Sequence, residues 1–239
     1  LNVGKLAHAS FSPNLTEISL PPLVPGSIAT ICRSCSKLRK VALHSVTAID
    51  VRIFGTLSCL ETLDIWLHGE PGTPEELSSA FAALGASNGT TLKKFVIDGA
   101  NFDSTSFFSS RRCSTLRELG LYRCNFPEAS LRALALNARE SLVALALDSG
   151  DFLSALRPLL SLCNKLDCLE IPSPGSLNVE VCTAVAAACL DGMAPLRYIT
   201  FFWPQIPDEC VHIILPVFCH AVSLSIICSM ESIVEIVSK

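Results

Sequence analysis

Arg112-Cys113-Ser114-Thr115-Leu116-Arg117-Glu118-Leu119-Gly120-Leu121-Tyr122-Arg123-Cys124-Asn125-Phe126 decides how this 239-residue chain folds, because its Leu-x-x-Leu-x-Leu spacing returns along the whole length. The same three apolar positions recur as Leu15/Ile18/Leu20, Leu38/Val41/Leu43, Leu60/Leu63/Ile65, Leu92/Phe95/Ile97, Leu142/Leu145/Leu147, Leu166/Leu169/Ile171 and Leu196/Ile199/Phe201. A looser ninth register from Ala221 keeps Leu224 and Ile226. Successive starts are 23, 22, 32, 24, 26, 24, 30 and 25 residues apart. Periods of roughly 20 to 50 residues mark stacked supersecondary units.

Within each unit the second and third apolar residues alternate on a short strand and point the same way, into a core. The first leucine anchors the turn into that strand. This predicts strands near 15–20, 38–43, 60–65, 92–97, 116–121, 142–147, 166–171, 196–201 and 221–226. Between strands the period becomes helical: Leu77, Phe81 and Leu84 share one face, and Thr73 with Glu76 forms a capping box around Pro74. Pro127-Glu128 and Pro207-Asp208 open helices in the same way. The long steps at 68–90 and 172–195 read as loops inserted within repeats. No unit can bury its own apolar face. Neighbours therefore stack into a right-handed α/β solenoid, or horseshoe, of about nine repeats, with parallel strands on the concave face and helices on the convex face. Neither a Gly/Ser-rich linker nor a charge run divides it, so one domain over 1–239 is expected.

The 12 cysteines are scattered among helix ends and strand edges. That placement predicts reduced, mostly buried thiols that pack as small hydrophobes, and a cytoplasmic or nuclear address. Cys35, Cys113 and Cys163 each lie three residues before a strand leucine, and Cys124 lies three after Leu121. Cys113-x-x-Leu116-x-x-Leu119-x-Leu121-x-x-Cys124 resembles the cysteine-containing leucine-rich repeat of the ribonuclease-inhibitor-like superfamily, the kind found in F-box/LRR proteins. The resemblance covers about residues 14 to 228. The strict alternation of repeat lengths in ribonuclease inhibitor itself is absent. The resemblance implies the target-recognition region of a cullin-type ubiquitin ligase receptor, in which an F-box docks on an adaptor and the solenoid grips the target. No stretch reads as an F-box and the chain opens at Leu1, so a fragment is expected, with any adaptor contact in a missing N-terminal region. The alternative is the ligand-sensing or regulatory repeat region of another intracellular receptor, of the nucleotide-binding immune-sensor type. A full-length sequence separates the two.

A net charge of -4, a pI near 5.7 and 18 Lys and Arg without a stripe argue against nucleic acid as partner. Leu1 to Ser10 lacks the apolar core of a signal peptide. Cys210 to Met230 carries no Asp, Glu, Lys or Arg and is long enough to span a bilayer. Pro216, His212, His220 and a helix-then-strand order where the ninth repeat is due favour the solenoid, so no membrane partner is expected. Catalytic elbows, phosphate loops, zinc-protease helices and dinucleotide glycine patterns are absent, which predicts a non-catalytic module without cofactor or metal. Cys32-x-x-Cys35 lacks a second pair and reads as thiols on a convex helix; His44 and His68 read as solvated. Asn14-Leu15-Thr16 and Asn88-Gly89-Thr90 are formal glycosylation sequons of the kind that arise by chance.

Function is therefore sought on the concave face. The residues after the third apolar position form the row Pro21, His44, Trp66, Asp98, Tyr122, Asp148, Pro172 and Phe202; one pleat earlier lie Ser19, Ala42, Asp64, Val96, Gly120, Ala146, Glu170 and Thr200. The chain has only two Trp and two Tyr, yet Trp66, Tyr122 and Tyr198 fall on concave strand positions and Trp203 follows Phe202. Such aromatics dominate interface hot spots. The candidate surface for a protein target is His44, Asp64, Trp66, Asp98, Tyr122, Asp148, Glu170, Tyr198 and Phe202, its carboxylates favouring a basic partner. The competing reading has Trp66 and Phe202 merely covering the core edge under a loop.

Overall fold

Alternating apolar pairs need neighbours on both sides to complete their backbone hydrogen bonds, and a continuous sheet supplies them. The computed structural model describes residues 12–20, 27–67, 71–88, 91–101, 105–109, 111–148, 153–171, 179–191, 195–202, 208–219, 223–229 and 232–237. Among these, strands β1 (Glu17–Leu20), β2 (Lys40–His44), β3 (Thr62–Trp66), β4 (Lys94–Asp98) and β5 (Glu118–Tyr122) are followed by β6 (Ala144–Asp148), β7 (Cys168–Ile171), β8 (Tyr198–Phe202), β9 (Ser223–Ser229) and β10 (Ser232–Val237). They lie side by side in chain order in one sheet. β1 to β9 run parallel, and the register sets Val41 beside Leu63, Phe95 beside Leu119, and Ile199 beside Leu224. The repeat positions read from sequence are thus the ladder positions of the sheet.

The strands begin two residues later than the spacing predicts. Leu38, Leu116 and Leu166 donate their N–H groups back to the carbonyls of Cys35, Cys113 and Cys163, so each first leucine closes a turn before the ladder opens. β9 likewise starts at Ser223, and β10, antiparallel to it, has no counterpart in the repeat spacing.

Among the described residues eight helices return the chain along the other side: α1 (Ser27–Ser34), α2 (Ala48–Phe54), α3 (Pro74–Asn88), α4 (Thr105–Ser109), α5 (Glu128–Ala138), α6 (Leu153–Leu162), α7 (Val179–Leu190) and α8 (Asp208–Ile214). The predicted box on α3 is present: Glu76 accepts from the Thr73 N–H at 2.9 Å, and Thr73 Oγ1 accepts from the Glu76 N–H at 3.2 Å. The expectation of loops in the long steps is corrected in part, since the described residues there include α3, 15 residues long, and α7, 12 residues long. Asn88 is fully buried at the end of α3, where its Nδ2 donates to the Phe54 carbonyl at 3.1 Å, so that sequon is occluded in the fold.

The core lies between sheet and helices. Leu63, Ile65, Leu119 and Leu121 are at most 2% exposed, each worth about 1.5 to 3 kcal/mol of apolar burial. Cys35, Cys113, Cys124 and Cys163 are buried with them. Burial pushes the Cys124 thiol up to about 12 and that of Cys163 to about 11, so both stay protonated and inert as nucleophiles. The uncharged stretch from Cys210 folds as α8, a 3-10 turn at Leu215–Cys219 and β9. No helix among the described residues is long and apolar enough to cross a membrane.

Candidate functional site

The pleat that sends leucines inward sends their neighbours to the open face of the sheet. Register aligns Asp64, Val96, Gly120, Ala146 and Glu170 in one row across β3 to β7. The next row is His44, Trp66, Asp98, Tyr122 and Asp148. Small side chains at Gly120, Ala144 and Ala146 floor a shallow depression of about 120 Å³, walled by Lys94, Tyr122 and Glu170 among others.

Tyr122 owes its position to Gly120. A Cβ at residue 120 would stand 2.9 Å from Tyr122 Cε2, so the phenol ring lies back along its own strand over the glycine. Burial first, then the carboxylates of Glu170, Asp64, Asp148 and Asp98, push the Tyr122 hydroxyl up to about 12. It remains a neutral donor at physiological pH. Glu170 is half-buried on the far side of the depression, burial raises its pKa, and it has no hydrogen-bond or ion-pair partner among the described residues.

Trp66 is propped rather than buried. It is 38% exposed, meets the His44 ring edge-on at 4.4 Å between centroids, and its indole N–H donates to Asp64 Oδ1 at 3.2 Å. Burial raises the Asp64 carboxyl and the indole hydrogen bond opposes that shift. Tyr198 is 43% exposed in the row of Lys94, Glu118 and Cys168, with the Arg197 guanidinium 5.6 Å from its ring centroid.

Asp98 has a different role from its neighbours. It is 7% exposed, and both its oxygens accept from Arg123, from Nε and Nη2, each at 2.7 Å. Arg123 reaches it because the chain leaves β5 in the left-handed region, with φ 49° at Arg123, just as Gly99 leaves β4 at φ 79°. A Cβ on Gly99 would stand 2.6 Å from the Leu67 carbonyl oxygen, so glycine is required there. The expected acidic contact at Asp98 is therefore an internal ion pair whose accessible half is Arg123.

The structure thus gathers His44, Asp64 and Trp66 into one cluster and Tyr122, Asp98, Asp148 and Glu170 into a second, with Tyr198 three strands beyond Tyr122. Phe202 ends β8 opposite Ile227, and its side chain, with Trp203, Pro21, Pro172 and His68, lies outside the described residues. Arg123 is a contributor that sequence reasoning missed, and Gly120 was placed on the concave row without a role. Their signal was a glycine amid the inward-outward alternation and an arginine directly after a strand, one repeat beyond an aspartate. Among the described residues no group of three His, Cys, Asp or Glu side chains converges to hold a metal.

No protein-family model matches the chain, and no curated protein does. Among solved structures it is similar to an internalin (inlF) from Listeria monocytogenes, with TM-score 0.50 and 15% identity over 93% of this chain and 57% of that one. It also matches the LRR ectodomain of the Arabidopsis thaliana membrane receptor kinase GASSHO1/SCHENGEN3, solved in complex with CASPARIAN STRIP INTEGRITY FACTOR 2, with TM-score 0.36 and 17% identity over 90% of this chain and 27% of that one. The chain spans 57% of the internalin's length. The internalin likeness, together with the parallel sheet, shows the fold to be an α/β leucine-rich-repeat solenoid.

Proposed function

We propose that this chain is a non-catalytic scaffold that grips a protein target on its concave face, as the substrate-recognition repeat region of an F-box/LRR-like ubiquitin ligase receptor. The observation that carries the reading is the placement of Trp66 and Tyr122. Both are amphipathic aromatics on the open face of the sheet, one strand apart on β3 and β5; Trp66 is held by His44 and Asp64, and the Tyr122 ring rests over Gly120 before any partner arrives. Side chains so restrained lose little freedom on binding, which is what a hot spot requires.

The buried thiols at Cys35, Cys113, Cys124 and Cys163 support the cysteine-containing subclass, and with it a reducing cytoplasmic or nuclear address. In this role the chain makes and breaks no bonds. It raises the local concentration of target beside a ligase recruited through an adaptor-binding segment outside these residues.

Affinity capture from a cell extract with the wild-type chain and the Trp66→Ala/Tyr122→Ala variant tests the proposal. A target retained by the wild type and lost by a variant with unchanged circular dichroism is expected, and ubiquitin-ligase subunits should accompany it when the full-length protein is the bait. Equal recovery by both chains would count against the concave face. A nucleotide-binding domain upstream in the full-length protein would replace the ligase role with that of a sensor.

A further inference from the structure

The charge on the concave face specifies what kind of segment can lie there, given the reading of that face as the protein-binding surface. From β3 to β7 the outward rows through Asp64 and through Trp66 hold Asp64, Asp98, Asp148 and Glu170 and, among the described residues, no lysine or arginine. Arg123, which reaches in beside these rows, is held by Asp98 through two 2.7 Å bonds. Lys94, on the adjoining row beside Asp64, is held by Glu118 at 2.7 Å.

Elsewhere on the molecule several carboxylates are paired, Glu61 with Arg39 and Lys93, Glu128 with Arg132, and Asp167 with Arg197. On the concave face Asp64, Asp148 and Glu170 have no ion-pair partner among the described residues. Those three surround the half-buried Tyr122 ring, whose hydroxyl feels all of them. An acidic segment would be repelled there, and an apolar one would desolvate the carboxylates without replacing their hydrogen bonds.

The spacing adds a second constraint. Asp64 and Glu170 stand in the same row with Val96, Gly120 and Ala146 between them. Four strand intervals of about 4.8 Å set them about 19 Å apart, which an extended chain rising about 3.3 Å per residue crosses in about six residues. Small floor residues leave room along that line, and an aromatic ring stands by each end: Trp66 beside Asp64, Tyr122 toward Glu170.

We infer that the concave face receives an extended segment of a partner protein carrying two lysine or arginine side chains about six residues apart, one met by Asp64 and Trp66, the other by Glu170, Asp148 and Tyr122.

Panning the full chain against a displayed random library of peptides about twelve residues long, twice the inferred spacing, tests this. Enriched peptides should carry two basic residues about six positions apart, and a selected peptide should bind with one-to-one stoichiometry. Asp64→Asn/Glu170→Gln should weaken that binding at least about tenfold. Glu75→Gln/Glu180→Gln, which removes the same net charge from exposed positions on the helix side, should change it less than about twofold. Absence of enrichment, enrichment without basic residues, or equal weakening by the two pairs would overturn the inference. Aromatic or apolar peptides released by Trp66→Ala/Tyr122→Ala would overturn it while leaving the concave surface as the binding face. Peptides indifferent to every concave substitution would contradict both.

Discussion

Gly120 and Tyr122 form one contact pair and Asp98 and Arg123 an ion pair beside it at the ends of β4 and β5, and each residue can be tested alone. Gly120→Ala must displace the Tyr122 ring, since the new methyl would lie 2.9 Å from it. Because Gly to Ala in a strand relieves backbone entropy, stability should stay within about 1 kcal/mol by urea denaturation while target binding falls. Arg123→Ala leaves the Asp98 carboxylate buried without its two bonds and should cost about 1 to 3 kcal/mol. Asp148→Ala, at a carboxylate with no such pair, should cost less than about 0.5 kcal/mol. Ultraviolet titration should show the ionisation abolished by Tyr122→Phe near pH 12. The sign is fixed: the folded state keeps this proton while the unfolded phenol loses it near pH 10, so stability falls between about pH 10 and 12, and less so in Tyr122→Phe. Period-two alternation revealed which residues share the open face. It could not reveal the Asp98–Arg123 pair, which depends on a left-handed φ at Arg123 after the strand has ended.

Helix caps show how local chemistry sets element boundaries. Thr47 and Asp50 form a second capping box on α2, in which the Asp50 carboxylate accepts from the Thr47 N–H at 3.0 Å and its hydroxyl at 2.7 Å. Asp50 is only 6% exposed, whereas Glu76 in the α3 box is exposed. Thr47→Ala should therefore cost about 1 to 2 kcal/mol and Thr73→Ala about 0.5 to 1 kcal/mol in thermal or urea unfolding. The α3 box was legible because Thr-Pro-Glu-Glu carries the usual Glu at the third helical position; Asp50 does the same task with a shorter arm. Strand starts were displaced because leucine spacing marks inward side chains, and the first leucine of each repeat points inward from a turn. The long steps at 68–90 and 172–195 could be helix or loop on length alone. Packing of α3 on α2 and α4, and of α7 on α6 and α8, favours helix.

The whole molecule is a one-dimensional stack whose central repeats are doubly supported. Phe81, Phe95, Phe107, Phe108 and Phe126 form a chain of ring contacts with centroids 5.0 to 6.0 Å apart beneath β4 and β5, the strands that carry Asp98 and Tyr122. Hydrogen exchange should thus be slowest for amides of β3 to β6 and fastest at β1 and β10, the two edges of the sheet. Uniform protection from end to end would contradict that gradient. Leu119→Ala, 2% exposed over this spine, should cost about 2 to 5 kcal/mol. The solenoid was legible because repetition averages out local ambiguity; β10 was not, because it belongs to no repeat and pairs antiparallel.

The central claim is that the partner meets the strands and not the helices, and photo-crosslinking decides it. Benzoylphenylalanine is installed in place of Ala42, half-buried on β2 beside Asp64, or of Leu136, 59% exposed on α5, and each chain is irradiated in cell extract. A discrete crosslinked protein from position 42 and none from position 136 is the predicted result. Crosslinking from position 136 alone would place the partner on the convex side and contradict the account.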